Sequence, residues 1–345
     1  MINMGWERIK LNFTGSLKVR FSGRSRALKR IEEYAKKGTY PVIVIYGPEG
    51  CGKTALFKQA IEVFRAYDYA VVHINPLAES KEEKLITSKE VKQLLIEIPE
   101  PFEPPIKLIS IAVEILYRAI KRGLKKRIAL LADDIFQAIG LNQAETLVKK
   151  LLNMIEYPSI NYEKIAILVA SSEGASRERI GRHRWASIKA LWNIDKEGFH
   201  ELYNQIPGDK PDFNHIWKWT GGNPGILARL YESKWNVESI VDELIRTRNI
   251  TKLIKTLNNT ERKLLEETIN NPDTLWEHLH QKEAQNLLNK LIERNLIIEI
   301  YDRDPQAWID TPPPEKDPNL GIGKYIAWQT PLHKKAVEKT LKTTK

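Results

Sequence analysis

The chain has 345 residues, 42% of them hydrophobic, and exceeds the ~100–200 residues usual for one domain, so it predicts two or three globular domains. Its formal net charge is +10, with basic residues spread along the whole length, which fits a solvated surface and, less directly, an anionic partner such as a nucleotide or nucleic acid. The single cysteine, Cys51, excludes an intramolecular disulfide, and residues 1–10 lack the apolar core of a secretory signal, so we expect a cytoplasmic protein.

Continuous apolar runs predict the strands of a parallel sheet in the first half of the chain. The runs, separated by helix-length segments, are 42–46, 70–74, 128–132 and 165–169. Continuous β-branched runs are typical of strands buried on both faces. Their alternation with helices predicts a three-layer α/β domain with a parallel sheet.

A long insert, 76–127, separates the second and third predicted strands. Its apolar stretch, 106–120, is too short to span a membrane and is interrupted by Glu114 and Arg118. This stretch predicts a buried amphipathic helix, and we expect no membrane association.

After about residue 190, helical patterns replace the strand runs as far as Asn295. Two helices and a short segment over 260–295 are followed by predicted strands at 296–301 and 325–330, which is the order of a winged helix. Trp217, Trp219 and Trp235 are expected in the core of the helical part, and Trp308 in the wing is expected to be exposed.

A phosphate-binding motif follows the first predicted strand and opens a predicted helix. The segment 47–54 fits G-x-x-x-x-G-K-[ST] in the context that this motif requires. Its glycines let backbone N–H groups surround phosphate oxygens, Lys53 reaches the β- and γ-phosphates, and the Thr54 hydroxyl coordinates magnesium. The alternative is a strand-to-helix turn without a ligand. The predicted nucleotide-binding residues of this segment are Gly47, Pro48, Glu49, Gly50, Cys51, Gly52, Lys53, Thr54 and Ala55.

Two acidic residues end the third predicted strand. Asp133 is placed to hold magnesium and Asp134 to orient the attacking water, as in a Walker B motif. The alternative is that Asp133 caps the helix that begins near Ile135.

Polar residues follow the fourth predicted strand. Ser171 and Ser172 are candidates to sense the γ-phosphate or position water, with Ser172 taken as a catalytic candidate. One of several arginines further on is a candidate arginine finger, although each also fits a solvated surface. These arginines are Arg177, Arg179, Arg182 and Arg184.

Together these segments resemble the archaeal ATPase family within the STAND branch of P-loop NTPases, which is related to AAA+ proteins, and more distantly the Orc/Cdc6 initiators. Besides the two Walker motifs, Phe21-Ser22-Gly23-Arg24 is similar to the F-x-G-R box, Ser171-Ser172-Glu173 to the S-S-E segment, and Gly221-Gly222-Asn223-Pro224 to the lid motif G-G-x-P. The resemblance implies a nucleotide-gated domain rearrangement.

The same resemblance implies roles for residues outside the Walker motifs. Pro224 would lie against the adenine, and Gly23 and Arg24 would border the base. Arg229, one helical turn after Pro224, is a candidate to reach the γ-phosphate. From the residues alone, the segment containing Pro224 is also explained as a turn before a helix.

The C-terminal segment offers a candidate DNA-reading helix at 283–294. Gln285, Asn286, Asn289 and Lys290 are able to contact bases, but Glu283 and Glu293 oppose an approach to DNA. The alternative is that this module packs against the ATPase or a protein partner.

The sequence therefore predicts a P-loop ATPase core at 1–190, a helical lid at 191–255 and a winged-helix-like domain at 256–345. We expect an ATP-binding and ATP-hydrolysing switch or remodelling ATPase that uses ATP and Mg²⁺ and binds a protein partner or itself. One alternative is a protein that binds double-stranded DNA under control of ATP. Another is a phosphotransferase, which the lack of a compact acceptor-binding lid disfavours.

Overall fold

The computed structural model describes residues 5–79, 84–87, 91–97, 104–171, 180–300 and 302–344. Their strands, in chain order, are β1 (Lys10–Asn12), β2 (Lys18–Arg20), β3 (Val42–Tyr46), β4 (Tyr69–Ile74), β5 (Leu85–Thr87), β6 (Arg127–Ala132), β7 (Lys164–Ser171), β8 (Ala186–Ala190), β9 (Ile297–Glu299) and β10 (Ile326–Trp328). Their helices are α1 (Ser25–Lys37), α2 (Lys53–Ala66), α3 (Lys92–Ile96), α4 (Pro105–Lys121), α5 (Ile135–Ile139), α6 (Leu141–Glu156), α7 (Lys196–Asn204), α8 (Phe213–Thr220), α9 (Pro224–Glu232), α10 (Val237–Thr247), α11 (Ile250–Lys255), α12 (Asn259–Asn270), α13 (Thr274–Glu277), α14 (Lys282–Glu293) and α15 (Pro331–Thr343). The chain divides into two compact units.

The first unit is an α/β fold around a central, mostly parallel sheet. It comprises the described residues of 1–9, 25–46 and 53–190. The strand order is β5-β4-β6-β7-β3-β8, and β5 alone among these strands runs antiparallel to its neighbour. All four predicted strands are confirmed, and β5 and β8 extend the sheet beyond them.

Burial explains why the predicted runs form the middle of this sheet. Every residue of β3 and β4 is buried, as is every residue of β6 and β7 after the first. In α4, which packs against β4 and β6, the buried side chains include Ala112, Ile115 and Leu116. The predicted amphipathic helix is thus confirmed. Within the described ranges no helix is both long and apolar enough to cross a membrane.

The second unit contains residues 10–24, 47–52 and 191–344 of the described chain. It begins with the β1–β2 hairpin, and β9 pairs antiparallel with β10, Ile297 lying opposite Trp328. One continuous hydrophobic cluster joins Leu227 and Leu253 to Leu287 and Leu332. The helix α15 packs against α10 and α11 as well as α12. Helices on both sides of residue 255 therefore share a core, and the division into a lid and a winged-helix domain stays a prediction.

The tryptophans of this unit differ in part from expectation. Trp217, Trp219 and Trp235 pack, partly buried, against the hydrophobic cluster. The expectation that Trp308 is exposed is wrong, because only 3% of it is accessible and its indole N–H donates to the Asp302 carbonyl over 2.6 Å. The polar segment around Trp308 folds over the ring instead of presenting it.

Candidate functional site

The phosphate-binding motif lies where the sequence places it, between a strand and a helix. The strand β3 ends at Tyr46, the loop Gly47–Gly52 follows, and α2 begins at Lys53. The first N–H groups of α2 have no acceptor within the helix, which makes such a helix start suitable for an anion. Lys53 is buried, and Thr54 is half-buried beside it.

The loop Gly47–Gly52 belongs by its contacts to the second unit. A Cβ atom on Gly47 would lie 2.0 Å from the Leu191 carbonyl oxygen, so only glycine fits there. Cys51 is buried, its N–H donates to the Pro48 carbonyl, and its thiol lies 3.7 Å from the Leu191 carbonyl oxygen. The backbone of this segment is therefore closely packed.

Glu49 is bonded through its backbone and through its side chain. Its N–H donates to the Gln329 side-chain oxygen over 2.9 Å, and its carbonyl accepts from the Asn223 side-chain amide over 2.9 Å. Its carboxylate pairs with Arg248 at 2.5 Å. The next carbonyl, that of Gly50, accepts from the Gly225 N–H over 3.0 Å. Segments far apart in sequence thus fix the backbone and the side chain of Glu49.

A buried ion pair holds the other end of the loop. The Arg24 guanidinium donates to Asp310 over 2.9 Å and to the Cys51 carbonyl over 2.5 Å. Only 2% of the Arg24 side chain and 3% of the Asp310 side chain are exposed. Arg24 also has a φ of +60°, in the left-handed region that non-glycine residues seldom adopt. Its neighbour Gly23 donates its N–H to the Glu201 carboxylate.

The predicted lid motif forms a helix start next to the same loop. Pro224 is the first residue of α9, and the Asn223 side chain caps the helix by accepting from the Ile226 N–H over 3.0 Å. The Asn223 amide also donates to Asn193 over 2.8 Å. Arg229, the predicted γ-phosphate contact, pairs with Glu243 at 2.9 Å.

In the first unit, Asp133 and Asp134 directly follow β6. The Asp133 N–H donates to the Ile74 carbonyl over 2.8 Å, which continues the pairing of β6 with β4 by one residue. Asp134 has a φ of +47° at the N-cap of α5 and makes no side-chain capping bond there. The carboxylate of Asp133 accepts no hydrogen bond from any described residue, which argues against its use as a helix cap.

The environment of Asp133 fits a cation ligand. Burial, and next the charge of Asp134, raises the pKa of Asp133 from 3.8 to about 6. The Thr54 hydroxyl, although outside hydrogen-bond geometry, lies near enough to oppose this rise, as do Lys53 and Lys58. A fully buried carboxylate with two unused oxygens beside a hydroxyl suits Mg²⁺, which takes one or two carboxylates and completes its shell with phosphate and water.

His73, a histidine that belongs to no recognised motif, lies beside this carboxylate. The His73 Nε2 atom is 4.0 Å from Asp133 Oδ2, and 1% of His73 is exposed. Burial, and next the charge of Lys58, lowers the pKa of His73 from 6.5 to about 4, so its ring is neutral at pH 7.

The remaining predicted residues are only partly described. Ser171 ends β7 and is buried, in register with Tyr46 of β3. Arg182 and Arg184 are exposed, and Arg182 lies 3.5 Å from Glu145. Ser172, Glu173, Arg177 and Arg179 lie outside the described residues.

Sequence reasoning missed the residues that hold the loop from a distance. Gln329, Arg248 and Asp310 stand 280, 199 and 286 positions from their partners. They belong to no motif, so nothing local to them indicates the contact. Asn223 lies inside a recognised motif. Its position just before a proline is typical of a helix N-cap, and this pattern could have predicted its capping role.

The sequence matches a family model, that of an ATPase domain predominantly from Archaea, over residues 21–230. Similar solved structures include the Aeropyrum pernix ORC2 protein in ADPNP–ADP complexes, with 13% identity and a TM-score of 0.43, covering 96% of this chain and 98% of that one. The Aeropyrum pernix ORC1 protein in complex with DNA has 13% identity and a TM-score of 0.41, with coverages of 96% and 94%. The Thermotoga maritima RuvB Holliday junction branch migration motor has 15% identity and a TM-score of 0.32, with coverages of 84% and 93%. Among curated proteins no match was found.

Proposed function

The chain belongs to the family of ATPase domains found predominantly in Archaea, and from this premise we propose that it is an ATP-driven molecular switch whose C-terminal residues respond to the nucleotide. The single observation that carries this proposal is the hold on Glu49. Its N–H and its carboxylate are both bonded by residues after position 240, namely Gln329 and Arg248.

The bonds from Gln329 and Arg248 to Glu49 give the switch a physical basis. A phosphate-binding loop works by turning its N–H groups toward phosphate oxygens, and here the Glu49 N–H is already donated to Gln329. A nucleotide that reorients this loop must therefore change the bond to Gln329. Coupling between two binding sites is reciprocal. A partner that moves Gln329 therefore changes the affinity for nucleotide by the same factor by which the nucleotide changes the affinity for that partner.

The proposed chemistry follows the roles predicted from the motifs. The loop residues and Lys53 bind the phosphates, Ala55 continues the helix start, and Thr54 and Asp133 hold magnesium. When bound, magnesium neutralises phosphate charge. Asp134 orients the attacking water, and its side chain makes no capping bond at the start of α5.

Further roles rest on the family resemblance. We propose that Ser172 senses the γ-phosphate or positions water and that Gly23 and Pro224 border the base. For Arg24 we propose that it mainly holds the loop in place and only secondarily borders the base, because its guanidinium is already bonded to Asp310 and Cys51. It supports the loop at the Cys51 carbonyl.

Control by double-stranded DNA is the second candidate function. In α14 the side chains of Gln285, Asn286 and Asn289 are exposed on one face, and such side chains are able to read bases. Lys290 is less suited, because it pairs with the buried Glu261 at 2.6 Å. The helix thus offers polar contacts with little phosphate-binding charge.

Steady-state ATP hydrolysis by the wild type and Asp134→Asn, with and without double-stranded DNA, tests both candidates. We expect slow, magnesium-dependent turnover that is indifferent to DNA and is lost in Asp134→Asn. Asp68→Asn, at an exposed aspartate of the same unit that pairs with Lys125, is the matched control and keeps wild-type turnover.

The other outcomes separate the hypotheses. Stimulation by DNA that is steep in salt, because phosphate contacts release counterions, would favour the DNA-controlled ATPase. Nucleotide affinity that is unchanged in Gln329→Ala would contradict the switch. Turnover by Asp134→Asn equal to wild type would contradict the assigned hydrolytic site.

A further inference from the structure

His73 is a buried polar residue that no motif explains. It is the last but one residue of β4, and 1% of its surface is exposed. Neither ring nitrogen has a hydrogen-bond partner among the described residues. Burying a donor or acceptor without a hydrogen-bond partner lowers the stability of the folded protein. A histidine with only a packing role would therefore be unfavourable at this position.

The sheet register brings His73 to the Walker B carboxylate. His73 is paired with Leu131 across the β4–β6 ladder, and Asp133 lies two residues further along the chain, just after the end of β6. The His73 Nε2 atom is 4.0 Å from Asp133 Oδ2, about 1 Å beyond an N–H···O hydrogen bond. Phe57 of α2 meets the imidazole edge-on at 6.3 Å between centroids and limits where the ring can turn.

We propose that His73 is a positioning residue that donates its Nε2 proton to one oxygen of Asp133 and thereby orients the other oxygen toward the magnesium ion. This inference rests on the proposed function, because it assigns a partner to a predicted metal ligand. Its basis is the proximity of a buried donor and a buried acceptor, neither of which has a hydrogen-bond partner among the described residues.

The chemistry of both groups agrees with this assignment. A neutral imidazole carries one N–H, and with the proton on Nε2 it faces the carboxylate as a donor. A carboxylate that binds a metal is usually also hydrogen-bonded by a neighbouring group that does not itself bind the metal. Losing that hydrogen bond typically weakens metal binding 10–100-fold.

The test compares His73→Phe, which keeps a ring without a donor, with His73→Gln, whose amide nitrogen reaches a similar position. Mn²⁺ replaces Mg²⁺ so that bound metal is counted directly by electron paramagnetic resonance in the presence of ADP. We expect His73→Phe to need about 10–100-fold more Mn²⁺ for half-saturation and His73→Gln to need an amount within a few-fold of wild type. ADP affinity without metal stays unchanged in both.

Thermal stability without metal is the second readout. We expect the melting temperature of His73→Phe to equal or exceed that of the wild type, because the substitution removes a buried group without a partner. A lower melting temperature in both variants, with no recovery of Mn²⁺ binding in His73→Gln, would show a packing role and overturn the inference.

Asp133→Asn keeps the failure of this inference distinct from that of the proposed function. If Asp133→Asn weakens Mn²⁺ binding and His73→Phe does not, the positioning role is refuted and the metal site stands. If the wild type shows no nucleotide-dependent Mn²⁺ binding at all, the proposed function fails and this inference fails with it.

Discussion

Replacing Arg24 by alanine is the most informative perturbation of the phosphate loop. The substitution removes the guanidinium that bonds both Asp310 and the Cys51 carbonyl. Because the ion pair is 97–98% shielded from water on both sides, the Asp310 carboxylate loses a charged partner in a place where solvent cannot replace it. The variant therefore reports on stability and on nucleotide binding at once.

The expected loss of stability is large for a single residue. Breaking a buried ion pair by removing one partner costs about 3–5 kcal/mol. At about 2–4 °C per kcal/mol for a unit of this size, the melting temperature falls by roughly 6–20 °C. Differential scanning calorimetry of the wild type and Arg24→Ala measures this directly, and a fluorescent ATP analogue shows whether the loop has lost affinity.

Two further variants isolate the cause. Arg30→Ala removes a surface arginine whose pair with Glu33 is about one-third exposed, so its melting temperature changes by less than a few degrees. The double variant Arg24→Met with Asp310→Leu replaces the ion pair by apolar groups and recovers most of the lost stability. Equal melting temperatures for Arg24→Ala and Arg30→Ala would refute the reasoning.

Three other substitutions test separate features. Lys53→Ala removes the proposed charged contact to phosphate, worth about 1.5–3 kcal/mol, so we expect ATP binding, followed by fluorescence, to weaken about 10- to 150-fold. Gly225→Ala places a Cβ atom 2.9 Å from the Gly50 Cα atom, and this overpacking lowers the free energy of unfolding in urea by about 1–3 kcal/mol and weakens ATP binding. Burial, and next the charges of Arg248 and Arg229, lowers the pKa of His333 from 6.5 to about 3. Below pH 6.5 the unfolded chain binds a proton that the folded chain does not, so stability falls as pH falls toward 3, by up to about 1.4 kcal/mol per pH unit, and His333→Gln flattens this dependence.

Each of these predictions has a control in the same chain. Lys36→Ala changes a lysine outside the motif and leaves ATP affinity unchanged. Gly15→Ala adds a Cβ atom that meets nothing within 4 Å, so stability stays within about 0.5 kcal/mol of wild type. His280→Gln, at an exposed histidine, is the matched variant for the pH profile. If a control and its partner variant behave alike, the corresponding prediction is wrong.

The central strands were predictable because their signal is local. The run Val42–Tyr46 is apolar throughout and leads directly into a glycine loop, and the structure buries all of it. The strand β8 escaped prediction because four of its five residues are only half-buried and include Ser187 and Lys189. It forms because β3 offers its backbone groups on that side, which is a tertiary cause.

The motif residues of the candidate site were predictable from the sequence. The residues that hold the loop Gly47–Gly52 in place were not. Lys53, Thr54 and Asp133 follow from spacing, and their roles stay predictions. Arg24 was recognised by resemblance, but its partner Asp310 is one of many acidic residues, and no rule of spacing selects a residue 286 positions away. Trp308 was misjudged because a polar, proline-rich segment usually lies at the surface.

The bonds to Glu49 from residues far along the chain have a consequence for how this protein can be divided or inherited. The family model ends at residue 230, whereas Arg248, Asp310 and Gln329 come later. A fragment cut at the family boundary would retain every motif residue and lose the bonds that Arg248, Asp310 and Gln329 make around its loop. In a lineage of such proteins, exchange of the C-terminal segment would change the bonds that hold this loop, so these two parts of the gene are expected to be inherited together.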